Sequence, residues 1–344
     1  MGTLIVIRWF CDAFFCTLDS IAASLATTQE LVMLRKAVKF LRNSLLEDLG
    51  YPASLINLVR EDSGLNRHLV EHEKGIGAFE IVRWNDFGNL LSEDHFHRRR
   101  LSGWTRCPGA YHNYGSISIV REDLLNLGTV IEQEQLRCEI QEIDGFSGSK
   151  SELHKFKSTD AMVERNSQEM INPVTKEKLE ENLRWDEIRI ISREKTTDHF
   201  ATWEWDGRVF LINSGGSHHF AAAKYIAKSL EIKVPLSGRY VTYGINQVAV
   251  ASLRRDFEIF VMSWKTDHQL GFHKAMQNFE ATYYWKALPR PYTEQCAIFL
   301  PKSEKRSAKV ARVLHEAGFQ DLGKYLKALG SPLAGRASSR LGAC

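Results

Sequence analysis

The chain has 344 residues, of which 44% are hydrophobic, 25% are charged and 10% are aromatic. These fractions are typical of a folded protein and exclude a mainly disordered chain, and the length allows one large domain or two smaller ones. With 45 Lys and Arg residues against 42 Asp and Glu residues, the net charge of +3 carries no overall signature of a nucleic-acid-binding protein.

The cysteines and the apolar N-terminus bear on where the protein resides. Six scattered cysteines with no Cys-x-x-Cys pair argue against a disulfide scaffold or a zinc ribbon and suit a reducing cytosol. Arg8, Asp12 and Asp19 interrupt the apolar N-terminal run, so no stretch between charges is long enough to span a membrane. We therefore expect a cytoplasmic protein without a membrane partner, whose first residues form a buried amphipathic helix; a targeting segment is the alternative.

Residues 1–143 are predicted to be rich in helix. Apolar residues recur every three or four positions over 31–41, as on one face of a helix. A brief alternation at 79–81 and a cleaner one at 116–120 predict strands. The next segment, 144–184, opens with Gly and Ser and continues polar and charged, so it is predicted to be a linker or an exposed segment.

Strands and helices alternate in residues 185–330, which predicts an α/β pattern there and an α+β fold class for the whole chain. Ile188, Ile190 and Ile191 predict a strand, and the next two strands are predicted to form a hairpin that turns at Asp206-Gly207. A helix over 220–230 and strands over 239–243 and 257–262 follow. The Gly/Ser/Ala-rich residues 331–344 are predicted to be a disordered tail.

The most informative run, residues 209–225, consists of an apolar strand, the pair Gly215-Gly216 and a helix that opens with three alanines. Glycines let backbone N–H groups approach a ligand, and a helix N-terminus carries roughly half a positive charge. The run therefore predicts an anion site. A sharp turn from strand to helix also needs glycine, so a purely structural turn is the alternative.

Together with Val234-Pro235-Leu236 after the helix, this run resembles the ParB/sulfiredoxin-like superfamily over roughly residues 185–245. Gly216 to His219 stand where that superfamily has a G-x-H-R or G-E-R-R type turn. The resemblance implies a ParB/sulfiredoxin-like mixed α/β domain that holds nucleotide phosphates, in a bacterial or phage-type protein. His219 stands where Arg is usual and Ser217 where sulfiredoxins have their reactive Cys, so a titratable group replaces a permanent charge and thiol repair is not expected.

The resulting expectation is a protein that binds a nucleoside triphosphate with Mg²⁺, and that hydrolyses it or transfers its phosphate. A carboxylate near the phosphates should hold Mg²⁺ or act as a base, and a cation such as Arg193 or Arg239 should replace the missing Arg. The predicted catalytic residues are Glu187, Glu204 and Asp206. The predicted nucleotide-binding residues are Asn213, Gly215, Gly216, Ser217, His218, His219 and Arg239.

Two other functions remain open at this point. The first is a non-enzymatic DNA-associated protein of a phage, a plasmid or another mobile element. Arg98, Arg99 and Arg100, together with a C-terminal stretch of 44 residues that has nine basic and three acidic side chains, would contact nucleic-acid phosphates. The second is a structural or interaction protein in which the glycine turn has no ligand.

Overall fold

The structure, a computed structural model, describes residues 28–70, 74–89, 100–109 and 113–330. Within these residues it contains helices and two five-stranded sheets, which confirms the α+β class. The predictions for residues 1–27, for Arg98 and Arg99 and for residues 331–344 lie outside the described residues.

The first sheet combines strands from both ends of the chain. Its strands are β1 (Arg100–Arg106), β2 (Tyr114–Val120), β8 (Phe257–Ser263), β9 (Tyr283–Ala287) and β10 (Gln295–Pro301). They are arranged in the order β2-β1-β9-β10-β8, and all pairs are antiparallel. The strands predicted from residues 116–120 and 257–262 are thus confirmed. Because β1 pairs with β9, residues 1–143 and residues 185–330, which were predicted as separate regions, share one sheet.

The second sheet is mixed. Its strands are β3 (Gly128–Glu139), β4 (Ile143–Phe146), β5 (His199–Trp203), β6 (Val209–Ile212) and β7 (Pro235–Ile245). In the order β3-β7-β5-β6-β4, the pairs β3–β7 and β5–β6 are antiparallel, whereas β5–β7 and β4–β6 are parallel. The predicted hairpin is therefore present as β5–β6, and its turn contains Asp206-Gly207.

Helices fill the space around the two sheets. The helices are α1 (Thr28–Asp48), α2 (Ala53–Glu61), α3 (Glu122–Leu125), α4 (Thr159–Asn166), α5 (Gln168–Ile171), α6 (Lys176–Leu183), α7 (Arg189–Ser192), α8 (Ser217–Ser229), α9 (Gln247–Asp256), α10 (Thr266–Asn278), α11 (Lys305–Glu316) and α12 (Leu322–Leu329). Across residues 28–330, apart from the short gaps, none of them has both the length and the apolar character needed to cross a bilayer.

The segment 144–184, predicted as a linker, is instead part of the core. β4 is a strand of the second sheet, and α4, α5 and α6 pack against α8. The buried side chains of Met162, Val163 and Leu179 join the cluster that α8 forms on the sheet. The segment looks polar in sequence because its helices present a charged outer face and bury only a few residues each.

Two predicted strands are also corrected. Residues 189–192 form the short helix α7, because the N–H groups of Ile191 and Ser192 bond to the carbonyl of Ile188 and not to a neighbouring strand. Residues 78–80 form a 3₁₀ turn. Spacing over three or four residues does not distinguish a strand from one turn of helix.

Both faces of the first sheet are covered. Helices α2, α10 and α11 pack around Phe260 and Ile298, and α9 and α12 pack around Phe299 on the other side. The segment 76–89 runs over the second sheet, where Ala78 and Ile81 pack on Trp203 and Phe210. This segment brings the two sheets together and forms a wall of a cavity described below.

Candidate functional site

The loop between β6 and α8 lines a cavity of about 690 Å³, here called the Gly-loop cavity. Its wall also includes the residues after β4, the junction of α4 and α5, and the residues before α7. A volume of this size is typical of small-molecule sites. Seven predicted site residues line it together: Glu187, Asn213, Gly215, Gly216, Ser217, His218 and His219.

The start of α8 offers free hydrogen-bond donors. The N–H group of Phe220 makes the first bond of the helix, to the carbonyl of Gly216 at 2.9 Å. Within the described part of the chain, the N–H groups of residues 215–219 donate to no acceptor. The N–H groups of Asn213 and Ser214 are already occupied, by Ser147 Oγ at 2.9 Å and Asp198 Oδ1 at 3.2 Å. The donors predicted for an anion are thus present at residues 215–219 and absent at residues 213 and 214.

Gly216 has two structural reasons to be glycine. Its φ of 72° and ψ of 8° place it in the left-handed region, which favours glycine. A Cβ atom there would also lie 2.7 Å from the carbonyl carbon and oxygen of Glu187. Gly216 therefore has a role in the turn itself, whatever the loop binds.

Asn213, predicted to bind nucleotide, holds the loop in place. Its Nδ2 donates to the carbonyls of Gly148 at 3.1 Å and Gly215 at 2.8 Å, and its Oδ1 accepts from the N–H of Gly148 at 3.2 Å. Because these bonds occupy its amide, the side chain fixes the position of the two loops and is a positioning residue.

His218 is held through both ring nitrogens. Nδ1 lies 2.5 Å from Ser167 Oγ and Nε2 lies 3.1 Å from Ser151 Oγ, which also accepts from Asn166 Nδ2 at 2.7 Å. Burial lowers the pKa of His218, and the nearby charge of Lys150 lowers it further. The imidazole is therefore neutral at neutral pH and ties α8 to the residues after β4.

His219 is held in one tautomer. Its Nδ1 lies 2.9 Å from Asn182 Oδ1, while Asn182 Nδ2 donates to the carbonyls of Met170 and Lys178, each at 2.9 Å. Since those donations fix Oδ1 as an acceptor, Nδ1 carries the proton and Nε2 has a lone pair. The ring stacks on Trp185 with centroids 4.2 Å apart, and burial lowers its pKa.

The charged side chains at the Gly-loop cavity are Lys150, Glu169 and Glu187. Lys150 is exposed and makes no ion pair within residues 113–330 or the other described ranges. Glu187 lies beside the loop, with its Cβ 3.3 Å from the position of a Cβ on Gly215. With both histidines neutral, the wall carries one positive and two negative charges, so it suits an anion that comes with a divalent cation better than an anion alone.

Two of the predicted catalytic residues lie elsewhere. Glu204 and Asp206 belong to the turn between β5 and β6, and an antiparallel hairpin places that turn at the end of β6 opposite to the glycine loop. Asp206 pairs with Arg208 at 2.7 Å and with Lys74 at 3.1 Å. The prediction that Glu204 and Asp206 lie beside the phosphate-binding loop is therefore wrong.

The two predicted arginines do not supply a cation to the Gly-loop cavity either. Arg239 lies on β7, where it contacts Glu132 Oε2 at 3.4 Å and His199 Nδ1 at 3.2 Å. Arg193 pairs with Asp186 at 3.2 Å. Arg189, which the sequence did not indicate, donates to Ser214 Oγ but is not among the residues that line the cavity.

Sequence reasoning missed the residues that the segment 144–184 contributes. Ser217 Oγ donates to Ser149 Oγ at 2.9 Å, which in turn accepts from the N–H of Ser151 at 3.1 Å. The only signal in the sequence is the density of Ser and Gly over 147–151, which is equally typical of linkers.

The residues of the nucleic-acid alternative are only partly described. Arg100 is the first residue of β1. In the basic C-terminal segment, Arg306 and Lys309 donate to the carbonyls of Phe279 and Gly50, both at 2.6 Å. These two side chains hold the fold together, and the alternative stays a prediction.

One group of potential metal ligands lies away from the Gly-loop cavity. Ligand atoms of Glu258, His315 and Asp321 are all within 4.8 Å of one another. Each carboxylate already faces a lysine, since Lys302 lies 3.2 Å from Glu258 and Lys324 lies 3.4 Å from Asp321. Positive charge at this distance disfavours a bound cation.

Comparison with known proteins places the chain in a family. Residues 133–337 match the model of a family of unknown function, DUF6685. The match covers more than half of the chain, so the chain belongs to this family. The matched range includes all the segments that line the Gly-loop cavity. No curated protein and no solved structure gives a match.

Proposed function

We propose that the Gly-loop cavity binds a nucleoside triphosphate together with Mg²⁺. The observation that supports this most directly is the row of unpaired N–H groups at residues 215–219, at the N-terminus of a helix of 13 residues. Consecutive backbone donors at a helix start are suited to phosphate oxygens. The resemblance to the ParB/sulfiredoxin-like superfamily points to the same turn.

The charged side chains at the cavity and His219 have a part in this proposal. Lys150 would contact a phosphate oxygen, and Glu187 and Glu169 would hold Mg²⁺, which would neutralise phosphate charge. His219 is suited to accept a proton through Nε2, because Asn182 fixes the opposite nitrogen as a donor. Hydrolysis or transfer of the terminal phosphate is the reaction that we propose for the site.

Thermal unfolding in the presence of ATP, CTP or GTP tests the binding step. With Mg²⁺, at least one nucleotide should raise the melting temperature, because a ligand that binds only the folded state stabilises it. The increase should shrink when EDTA replaces Mg²⁺ and in Glu187→Gln. Lys150→Ala should also reduce the increase in melting temperature, because the substitution removes the lysine at the cavity.

Lys233→Ala is the matched control, since Lys233 is also exposed but follows the far end of α8. If no nucleotide raises the melting temperature, the nucleotide proposal is wrong. If the increase is the same with EDTA, the Mg²⁺ part of the proposal is wrong. Gly216 is unsuitable for this test, because its replacement disturbs the turn directly.

A further inference from the structure

A second cavity, of about 590 Å³, lies where the two sheets meet. It opens between the turn of the β5–β6 hairpin, the segment 79–84, the loop between β9 and β10, and the end of α12. We call it the aromatic cavity. Its apolar wall is made of Phe79, Trp84, Trp205, Tyr292, Tyr325 and Leu329.

The aromatic wall is already in place in the structure. Trp205 Nε1 donates to the carbonyl of Val82 at 3.0 Å. Trp84 is only 1% exposed and meets Tyr325 edge to face, with ring centroids 5.5 Å apart. A wall held by hydrogen bonds and packing requires little ordering when a ligand binds.

Most charges at the aromatic cavity neutralise one another. Asp206, which is almost fully buried, accepts two bonds from Arg208, at 2.7 Å and 3.1 Å, and lies 3.1 Å from Lys74 Nζ. Arg208 also donates to the carbonyl of Gly75 at 2.7 Å. Asp206 and Arg208 are therefore occupied by each other, whereas Lys74 is half exposed and pairs with Asp206 alone among the described residues.

Two groups of opposite charge remain. Glu80 lines the cavity and forms no ion pair with any described residue; its Oε2 faces away from the cavity, against Gly75, and has no hydrogen-bond donor in the described ranges. Arg290 lines the cavity from the β9–β10 loop, is exposed and makes no ion pair or hydrogen bond to any described residue. A carboxylate without an ion-pair partner beside an apolar wall is costly, so a cationic N–H group of a ligand in the cavity would stabilise Glu80.

We propose that the aromatic cavity is a second ligand site, for a small zwitterion with an aromatic ring, such as an aromatic amino acid. The ring packs against Trp205 and Tyr325, the ammonium group donates to Glu80, and the carboxylate accepts from Arg290. Bonds between charged groups are stronger than neutral ones, and aromatic side chains provide much of the apolar contact area in such sites. The site is separate from the Gly-loop cavity and does not depend on the nucleotide proposal.

Isothermal titration calorimetry of the full chain with three related probes tests this proposal. L-Tryptophan carries both charged groups, tryptamine lacks the carboxylate, and indole-3-propionate lacks the amine. We expect saturable binding of L-tryptophan at millimolar concentrations or below, with weaker binding of the other two. Glu80→Gln should weaken tryptophan and tryptamine about tenfold or more and leave indole-3-propionate unchanged, because it removes one charged partner.

Arg290→Gln should have the opposite pattern, weakening tryptophan and indole-3-propionate and leaving tryptamine unchanged. Glu134→Gln and Arg67→Gln, both exposed and outside the cavity, are the controls. Arg290 is exposed, so its variant is expected to fold. Absence of saturable binding for all three probes overturns the proposal. An equal loss of affinity for all three probes in either variant also overturns the proposal, because a general disturbance of the cavity does not depend on the ligand's charges.

Discussion

His218 and His219 are adjacent in sequence, but they serve different partners. Two consecutive residues at the start of a helix point in different directions, so His218 reaches the serines after β4 and at α5, whereas His219 reaches α6. Both imidazoles are partly buried, and neither has a carboxylate within hydrogen-bond distance in the described part of the chain. Burial is accordingly the largest cause of the lower pKa in each case.

These two pKa shifts predict a loss of stability in mild acid. The unfolded chain binds protons at the ordinary histidine pKa of 6.5, whereas both folded-state pKa values are lower. Below pH 6.5 the unfolded state therefore binds more protons, and the free energy of unfolding decreases as pH falls towards the folded-state values. Urea titrations across this range should show a smaller decrease in the double variant His218→Gln/His219→Gln.

His68→Gln, at an exposed position, provides the control for the loss of one histidine. An unchanged pH dependence in the double variant would contradict the assignment of the two partly buried imidazoles as neutral groups.

At the scale of the secondary-structure elements, the turn from β6 to α8 depends on the close approach of Gly216 to Glu187. Gly207 in the β5–β6 turn has nearly the same φ, 75° against 72°, but a Cβ there would have no heavy atom within 4 Å. Gly207→Ala should therefore cost only the backbone penalty of about 1–2 kcal/mol. Gly216→Ala should cost clearly more, because its Cβ would also displace the backbone at Glu187 and Ile188.

Urea unfolding of the two variants measures this difference directly. Equal losses of stability would show that the backbone at residues 187 and 188 moves away from the new Cβ at little cost. Only the backbone conformation would then require glycine at residue 216.

Local patterns in the sequence predict the elements around α8 and β6 better than the contacts between them. The hairpin turn, α8 and β7 follow from a turn signal, an alanine run and β-branched residues, which act within a few residues. Whether Glu204 and Asp206 reach the loop depends on the direction of β5 relative to β6. Glu204 and Asp206 are close to the glycine loop in sequence, but they lie at the opposite end of β6.

At the scale of the whole molecule, the misinterpreted segment 144–184 shows what composition fails to reveal. Its Gly and Ser residues and its charged helices are typical of a linker, but β4 is inserted beside β6 and one face of each helix is buried on α8. Two apolar residues per short helix are enough for that face. The pairing of distant strands, β1 with β9 and β3 with β7, has no local signal because it joins residues more than 90 positions apart along the chain.

This arrangement predicts that residues 185–330 do not fold on their own. Without the rest of the chain, β9 loses β1, β7 loses β3 and β6 loses β4, while α8 exposes the apolar face that α4 and α6 cover. Unpaired strand edges and an exposed apolar helix face favour aggregation over a cooperative fold. We expect the fragment to show no sharp urea transition by circular dichroism under conditions where the full chain shows one. A cooperative transition in the fragment would mean that the shared sheets contribute little to stability and that residues 185–330 form an independent domain.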